Sequence, residues 1–209
     1  PATMCFAVKN VSLAVLNWNP YAGEKLENYG FGAEIISEAF SRSGYTTEFH
    51  FMPWMRALKD TEIGKYDAVC FGYYSKQRAK TYAFSEPYAQ SSLVLYKHKD
   101  SQISYSTLED LKPYQIGVVR GFVNTVEFDS ADYLQKQEVH NEVLNMKKLL
   151  NKRVDLIVID KFIAQYLLNT MFKENKEDFE ALEPPLETKP LYLMFSRNVK
   201  KFDQKLEDF

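Results

Sequence analysis

Two cysteines and three histidines are all this 209-residue chain holds of the thiol and imidazole groups that most often bind metals or act in nucleophilic catalysis. Cys5 and Cys70 lie too far apart for a short-spaced metal site, and His50, His98 and His140 are scattered, none on a strand end. Cys70 sits in an apolar strand and reads as an inert buried thiol. A Cys5–Cys70 disulfide, suited to an oxidising compartment, stays open beside that reading. Basic excess is missing too: the net charge is -2, with Lys and Arg spread along the chain, so there is no stripe of the kind that tracks nucleic acid. No apolar run reaches the length of a membrane span. The opening "PATMCFAVKN" lacks the charged and apolar regions of a signal peptide. Also absent are a Gly-x-Ser-x-Gly elbow, a His-Glu-x-x-His helix, a P-loop and a full dinucleotide fingerprint; "GFGAE" at 30–34 follows a loop and breaks off after its second glycine. Neither nucleophilic nor metal chemistry has its groups here, and no cofactor is expected. Binding without chemistry is favoured.

The chain is 45% hydrophobic, ample for one large or two small cores. "VSLAVLN" reads as a strand and "WNPYAGEKLENYG" as a loop. "FGAEIISEAFSRSG" carries Phe31, Ile35, Ile36, Ala39 and Phe40 at helical spacing and stops on Gly44. "YTTEFHF" alternates as a strand, "PWMRALKDTEIG" opens on a proline suited to a first helical turn, and "YDAVCFG" is a buried strand. This β-α-β-α-β order predicts a parallel sheet with crossover helices. After the polar "DSQISYS" a second unit follows: strand "YQIGVVRG", a loop leading into helix over "FVNTVEFDSADYLQKQ", helix "NEVLNMKKLLNKR", strand "VDLIVID" and helix "KFIAQYLLNTMF". The helix "NEVLNMKKLLNKR" is expected to set Val143, Met146, Leu149 and Leu150 on one face. Strand-like "ETKPLYLMFSRN" and a short final helix over "VKKFDQKLEDF" close the chain.

"LKDTEIGKYDAVCFG" and "MKKLLNKRVDLIVID" run in parallel, placing Asp67 and Asp155 at equivalent positions. This weak repeat suggests two similar α/β lobes. Ligands of open α/β sheets bind beyond the carboxyl ends of the strands. That rule selects 18–21, 73–78, 120–124 and 160. Arg78, a planar fork for a carboxylate or phosphate, is weighed there against a solvated charge or a partner of Glu86. Asp160, which would accept from an ammonium, is weighed against a helix N-cap. The aromatics Trp18, Tyr21, Trp54, Tyr73, Tyr74 and Phe122 cluster near the same strand ends and together suggest a lined cleft.

The stretches "GFGAEIISEAFSRSGY", "GKYDAVCFGYYSKQRAKTYAFSEPY", "IGVVRGFVNTVEF" and "VDLIVID" resemble the family 3 extracellular solute-binding proteins, with the type II periplasmic binding fold of amino-acid ABC transporters. "W-x-P-Y" (Trp18, Pro20, Tyr21) and "P-W-x-R-A" (Pro53, Trp54, Arg56, Ala57) resemble one branch of it. The resemblance implies an α/β protein of two lobes, each a mainly parallel sheet flanked by helices, with residues 1–96 plus 191–209 in one and 97–190 in the other. A two-strand hinge is implied near 95–99 and 188–193. It implies Arg78 on a ligand carboxylate and Asp160 on its amino group. Tyr21 and Trp54 would flank the ligand, and Gly121, Phe122 and Asn124 would contact it from the second lobe; Trp18, Tyr73 and Arg120 join these candidates from the strand ends. Phe71, Gly72 and Tyr73 stand where amino-acid binders often carry small hydroxyl residues, and Phe122 and Val123 where a hydroxyl pair is common, which favours a larger or aromatic ligand. Arg56 and Arg120 either turn inward, favouring an anion with more than one acidic group, or stay ion-paired or solvated.

The expected function is capture of a small carboxylate-bearing ligand, an amino acid or related solute, for the membrane permease of an ABC transporter. The expected protein is a periplasmic monomer, with signal peptide or lipid anchor absent from this chain. A ligand-sensing domain of a signalling receptor is the alternative. A dehydratase-like enzyme, with Glu24, Glu27 or Glu86 as acid, stands third.

Overall fold

The computed structural model describes residues 9–209, and the expectation for Cys5 lies outside them. Strand β1 (Lys9–Val15) is followed by α1 (Phe31–Arg42), β2 (Tyr45–Phe51), α2 (Trp54–Glu62), β3 (Ala68–Gly72), α3 (Lys76–Thr81) and β4 (Tyr82–Phe84). Then come β5 (Ala89–His98), β6 (Gln115–Val119), α4 (Val126–Ser130), β7 (Gln135–Val139), α5 (Glu142–Leu150), β8 (Leu156–Asp160), α6 (Lys161–Asn169) and β9 (Phe179–Ala181). The chain ends through β10 (Glu187–Ser196) and α7 (Phe202–Glu207). It divides into two compact units, 1–89 with 190–209 and 90–189, so it crosses between them once within β5 and once within β10. Among the described residues no helix is long and apolar enough to span a membrane.

The first unit orders its strands β2-β1-β3-β10, with β4 also on β10; the β1 pairs are parallel and β10 runs antiparallel to β3 and β4. The second orders them β7-β6-β8-β5, parallel except for β5 against β8, with β9 antiparallel on β5. The two units therefore share one topology.

Their shared repeat is built from matching hydrogen bonds. Asp67 donates its N–H to Ser12 O at 2.9 Å and accepts Ser12 N–H on Oδ2 at 2.8 Å. Asp155 does the same with Gln115, at 2.9 and 2.8 Å. Each aspartate thus pins the entry of β3 or β8 to the neighbouring parallel strand, using its carboxylate where the backbone ladder has not begun. The preceding helices end alike: Gly64 and Lys152 take positive φ, at 80° and 53°. Lys65 N donates to Asp60 O and Arg153 N to Lys148 O, closing both helix ends with the same chain reversal.

Two sequence expectations need correction. In α1, Ile36 and Phe40 are buried, but Phe31 and Ile35 are 41% and 42% exposed. The helix packs through Gly32 and Ala33 instead: both N–H groups donate to Tyr21 O, at 2.9 and 3.1 Å. A Cβ on Gly32 would stand 2.6 Å from the Phe71 ring. Close approach through the smallest side chains turns the stripe and leaves Phe31 and Ile35 outside. In the second unit, "FVNTVEFDSADYLQKQ" yields a five-residue helix, α4, and the start of an edge strand, β7. "QKQEV" carries polar side chains because β7 pairs on one side only, with β6.

In α5, Met146 and Leu149 are buried, with Val143 and Leu150 partly so. Asn145 joins them at 0% exposure, neither side-chain polar atom hydrogen-bonded, against Gly117 of β6. Helix α7 and the two residues after it are fastened to the first unit by several contacts. Lys205 Nζ reaches Asp67 Oδ1 at 2.5 Å, Tyr45 donates its hydroxyl to Asp208 Oδ2 at 2.7 Å, and Ser43 donates to Asp208 O. The Phe209 ring lies 4.9 Å from that of Phe40.

Candidate ligand-binding residues of the two units

In the first unit the candidates gather at the carboxyl ends of the paired strands β1 and β3. Beyond β1, a short antiparallel bridge joins Trp18 to Ala22, with N–H···O bonds of 2.7 and 3.1 Å. It folds the loop so that the Trp18 and Tyr21 rings stack at 4.7 Å, 18° from parallel. Tyr73 meets Trp18 edge-on at 6.3 Å, and Phe71 lies 6.0 Å from both rings of the stack. Phe71 has φ 62°, a left-handed backbone costing about 1–2 kcal/mol in a residue with a Cβ. Its N–H donates to the buried Tyr88 hydroxyl at 3.0 Å, and its ring fills the aromatic cluster. Burial pushes the Tyr88 phenol well above its ordinary pKa. Strain held by surrounding contacts is a mark of functional segments, and this strained residue directly precedes Gly72 and Tyr73.

Arg78 follows on α3, whose N-cap Ser75 accepts the Arg78 N–H on Oγ at 3.2 Å. The Arg78 side chain is buried rather than solvated. Its Nη1 donates to Tyr73 O at 3.0 Å, and the guanidinium lies 5.3 Å from the centre of the Trp54 ring, the first residue of α2. This bond and this ring help to orient a planar fork suited to a carboxylate. Arg56, two residues on, lines a separate open recess with Glu24, His50, Phe51, Asp60 and Tyr66. Trp18, Tyr21, Trp54, Tyr73 and Arg78 form one constellation; Arg56 is not part of it.

In the second unit the candidates follow the adjacent parallel strands β6 and β8. Asp160 ends β8 and caps α6: Oδ1 accepts from Phe162 N at 2.8 Å and Ile163 N at 2.9 Å, while Oδ2 accepts the Ser91 hydroxyl. The N-cap weighed from sequence is thus present, and it fixes the carboxylate in place. After β6, Gly121 turns the chain at φ 76° and Phe122 N–H donates to Val119 O at 3.1 Å. Asn124 is buried and braced: its N–H and Nδ2 donate to the two Asp129 carboxylate oxygens, each at 2.8 Å. Its carbonyl accepts from Lys189 Nζ. Arg120 stands apart, exposed, with Nε 2.8 Å from Glu138 Oε2; it takes the ion-paired course weighed from sequence.

Ser91, Asp129 and Lys189 went unnoticed in the sequence. Ser91 and Lys189 lie within strands, where spacing marks them only as pattern residues, and Asp129 sits in the five-residue α4, too short to show a periodicity. Cys70 is a buried free thiol among the described residues, and burial raises its pKa.

Two α/β units of one topology, between which the chain passes within β5 and within β10, give the fold of the periplasmic binding proteins. The chain belongs to the bacterial extracellular solute-binding proteins, family 3, whose pattern matches residues 14–208. It is 30% identical over 144 residues to the probable ABC transporter extracellular-binding protein YckB of Bacillus subtilis (strain 168), covering 66% of this chain and 49% of that one. The chain thus spans about half the length of that relative. Among solved structures, it is similar to the Gly52Ala mutant of arginine-bound ArgBP from T. maritima, with TM-score 0.79, 20% identity and coverage of 95% and 92%. A histidine kinase sensor domain with similarity to periplasmic binding proteins gives TM-score 0.82 at 15% identity, covering 95% and 86%. AbpA from Streptococcus pneumoniae, bound to L-arginine, gives 0.76 at 17%, covering 95% and 86%. These likenesses share the fold. The family is extracellular and binds solutes, which places the chain's work outside the cytoplasm.

Proposed function

We propose that this chain captures a small carboxylate-bearing solute, an amino acid or close relative, in the periplasm and presents it to the permease of an ABC transporter. Arg78 holds the carboxylate, Asp160 takes the amino group, and the Trp18–Tyr21 stack, Trp54 and Tyr73 flank the ligand body. Gly121, Phe122 and Asn124 contribute from the second unit, the hinge lies in β5 and β10, and the protein works as a monomer without chemistry on the solute. The observation that carries this reading is the buried Arg78 guanidinium, oriented by Tyr73 O and the Trp54 ring beside an aromatic stack. Its fork suits a carboxylate better than a lysine would. Aromatic surface at 71–73, in place of small polar groups, favours a solute with a sizeable side chain. The solved structures bound to arginine support that size class.

A second reading, a ligand-sensing receptor domain, is supported by the histidine kinase sensor fold likeness. It uses the same residues and differs in what is attached to the chain.

The test is a thermal-shift series with L-arginine, other amino acids, aromatic acids and dicarboxylates, on wild type and Arg78→Ala. A bound solute raises Tm with concentration. A shift that disappears in Arg78→Ala supports the reading; a shift that persists there removes Arg78 from the site.

A further inference from the structure

Both crossings of the chain between its units are marked by a buried polar side chain tied to a candidate ligand element. Ser91 lies just past the 89/90 boundary, and its hydroxyl donates to Asp160 Oδ2. Lys189 is the last residue before the 189/190 boundary, and its ammonium donates to Asn124 O. Ser91 is 1% exposed and Lys189 is 7% exposed. Burying a lysine ammonium costs several kcal/mol unless strong acceptors meet it. Its acceptors here include a loop carbonyl and, at 3.5 Å, Glu187 on the same strand.

A single aliphatic residue would have filled either strand position, so the polar choice calls for a reason. Each bond reaches, across about 70 residues of sequence, the one element of its neighbourhood that carries candidate ligand groups: the Asp160 cap, 69 residues away, and the Gly121–Asn124 loop, 65 residues away. Asp160 has two carboxylate oxygens, and its helix uses Oδ1 alone; Ser91 holds the other and fixes the carboxylate plane. The loop is braced from two directions, by Asp129 through the Asn124 amides and by Lys189 through the carbonyl.

Resting on the proposed solute-binding function, we infer that Ser91 and Lys189 are positioning residues that join the two ligand-bearing elements of the second unit to the strands where the chain changes units. Solute that orders Asp160 or the Gly121–Asn124 loop thereby acts on the backbone at both crossings through one hydrogen bond each. The strands are coupled to occupancy without touching the solute.

Hydrogen exchange on the unliganded full chain tests this independently of any ligand. Lys189→Met removes the donor at nearly constant length. It is expected to speed amide exchange over 121–125 about tenfold, the equivalent of one charge-assisted bond, with α5 unchanged. Lys189→Gln, which keeps a donor, returns part of the protection. Ser91→Ala is expected to raise exchange at Phe162 and Ile163, the amides capped by Asp160, by a similar factor. Unchanged exchange at these amides, or a rise spread evenly over residues 90–189, overturns the inference. A binding arm uses L-arginine by titration calorimetry, at a temperature where both variants stay folded, and both are expected to raise Kd about tenfold. Failure of wild type to bind any solute of the thermal-shift panel counts against the solute-binding reading, while the exchange result still decides the positioning roles.

Discussion

At the scale of single residues, Gly117 leaves no room for a side chain against Asn145. A Cβ on Gly117 would lie 2.4 Å from Asn145 Oδ1 and 3.2 Å from Ile157 Cγ2. Gly117→Ala is expected to cost about 1–3 kcal/mol by overpacking. Asn145→Ala in the same chain is expected to return much of it, by removing both the clash and two buried polar atoms without partners. A double-mutant cycle in urea measures that coupling, and additive effects would mean the strand shifts rather than the side chain. Nothing in the sequence announces this pair: an asparagine inside the helical stripe looks like an exposed interruption. Arg78 and Asp160, by contrast, were readable, because both follow the carboxyl ends of buried strands, where open α/β sheets bind their ligands. What the residue pattern could not supply was orientation. The Trp54 ring beneath Arg78 and the Ser91 hydroxyl on Asp160 depend on how strands align across dozens of residues.

At the scale of elements, the matched aspartates make a paired prediction. Asp155→Ala removes one backbone clamp at the entry of β8 and is expected to cost about 1–3 kcal/mol. Asp67→Ala removes the same clamp and also leaves Lys205, 18% exposed at its side chain, without its carboxylate. It is expected to cost more, and denaturant melts of the two variants compare them directly. Helix α7 also carries a pH signature. Burial first, then the Asp208 carboxylate, pushes the Tyr45 phenol up to about 12. A phenol whose folded pKa is raised contributes stability in full below its ordinary value near 10, losing it as pH climbs to about 12. The Asp208 carboxyl is lowered, chiefly by the Tyr45 hydroxyl, so its share is present above its ordinary 3.8 and lost as pH falls through the lower folded value. Wild type is therefore expected to lose its Tm advantage over Tyr45→Phe at strongly alkaline pH; an advantage that stays constant across that window would remove the phenol from the fastening of α7. The repeat was legible in sequence because an aspartate before an apolar strand is a local pattern. The turn of α1 was not: helical spacing marks a stripe of large residues, whereas the helix docks by its small ones, a choice made by Phe71 and Tyr21 from outside the segment.

At the scale of the whole molecule, the parallel order of strands and helices was written in the alternation of periods, while the polar edge strand β7 was hidden by having only one side to bury. The division into units has a consequence for the order in which the protein forms during synthesis. Residues 90–189 are one uninterrupted stretch and contain β6, β7, β8 and β9 whole and all of β5 but its first residue. The first unit begins earlier but lacks the rest of β10, the antiparallel neighbour of β3 and β4, and α7 with Lys205 and Phe209, until the last 20 residues arrive. The half that leaves the ribosome first is thus the half that waits, holding "AVCFG" without its antiparallel neighbour while the later half folds. Arrested chains ending near residue 190 are expected to resist protease across 90–189 and yield within 9–89. Equal resistance in both segments would mean that the first unit closes without its final strand.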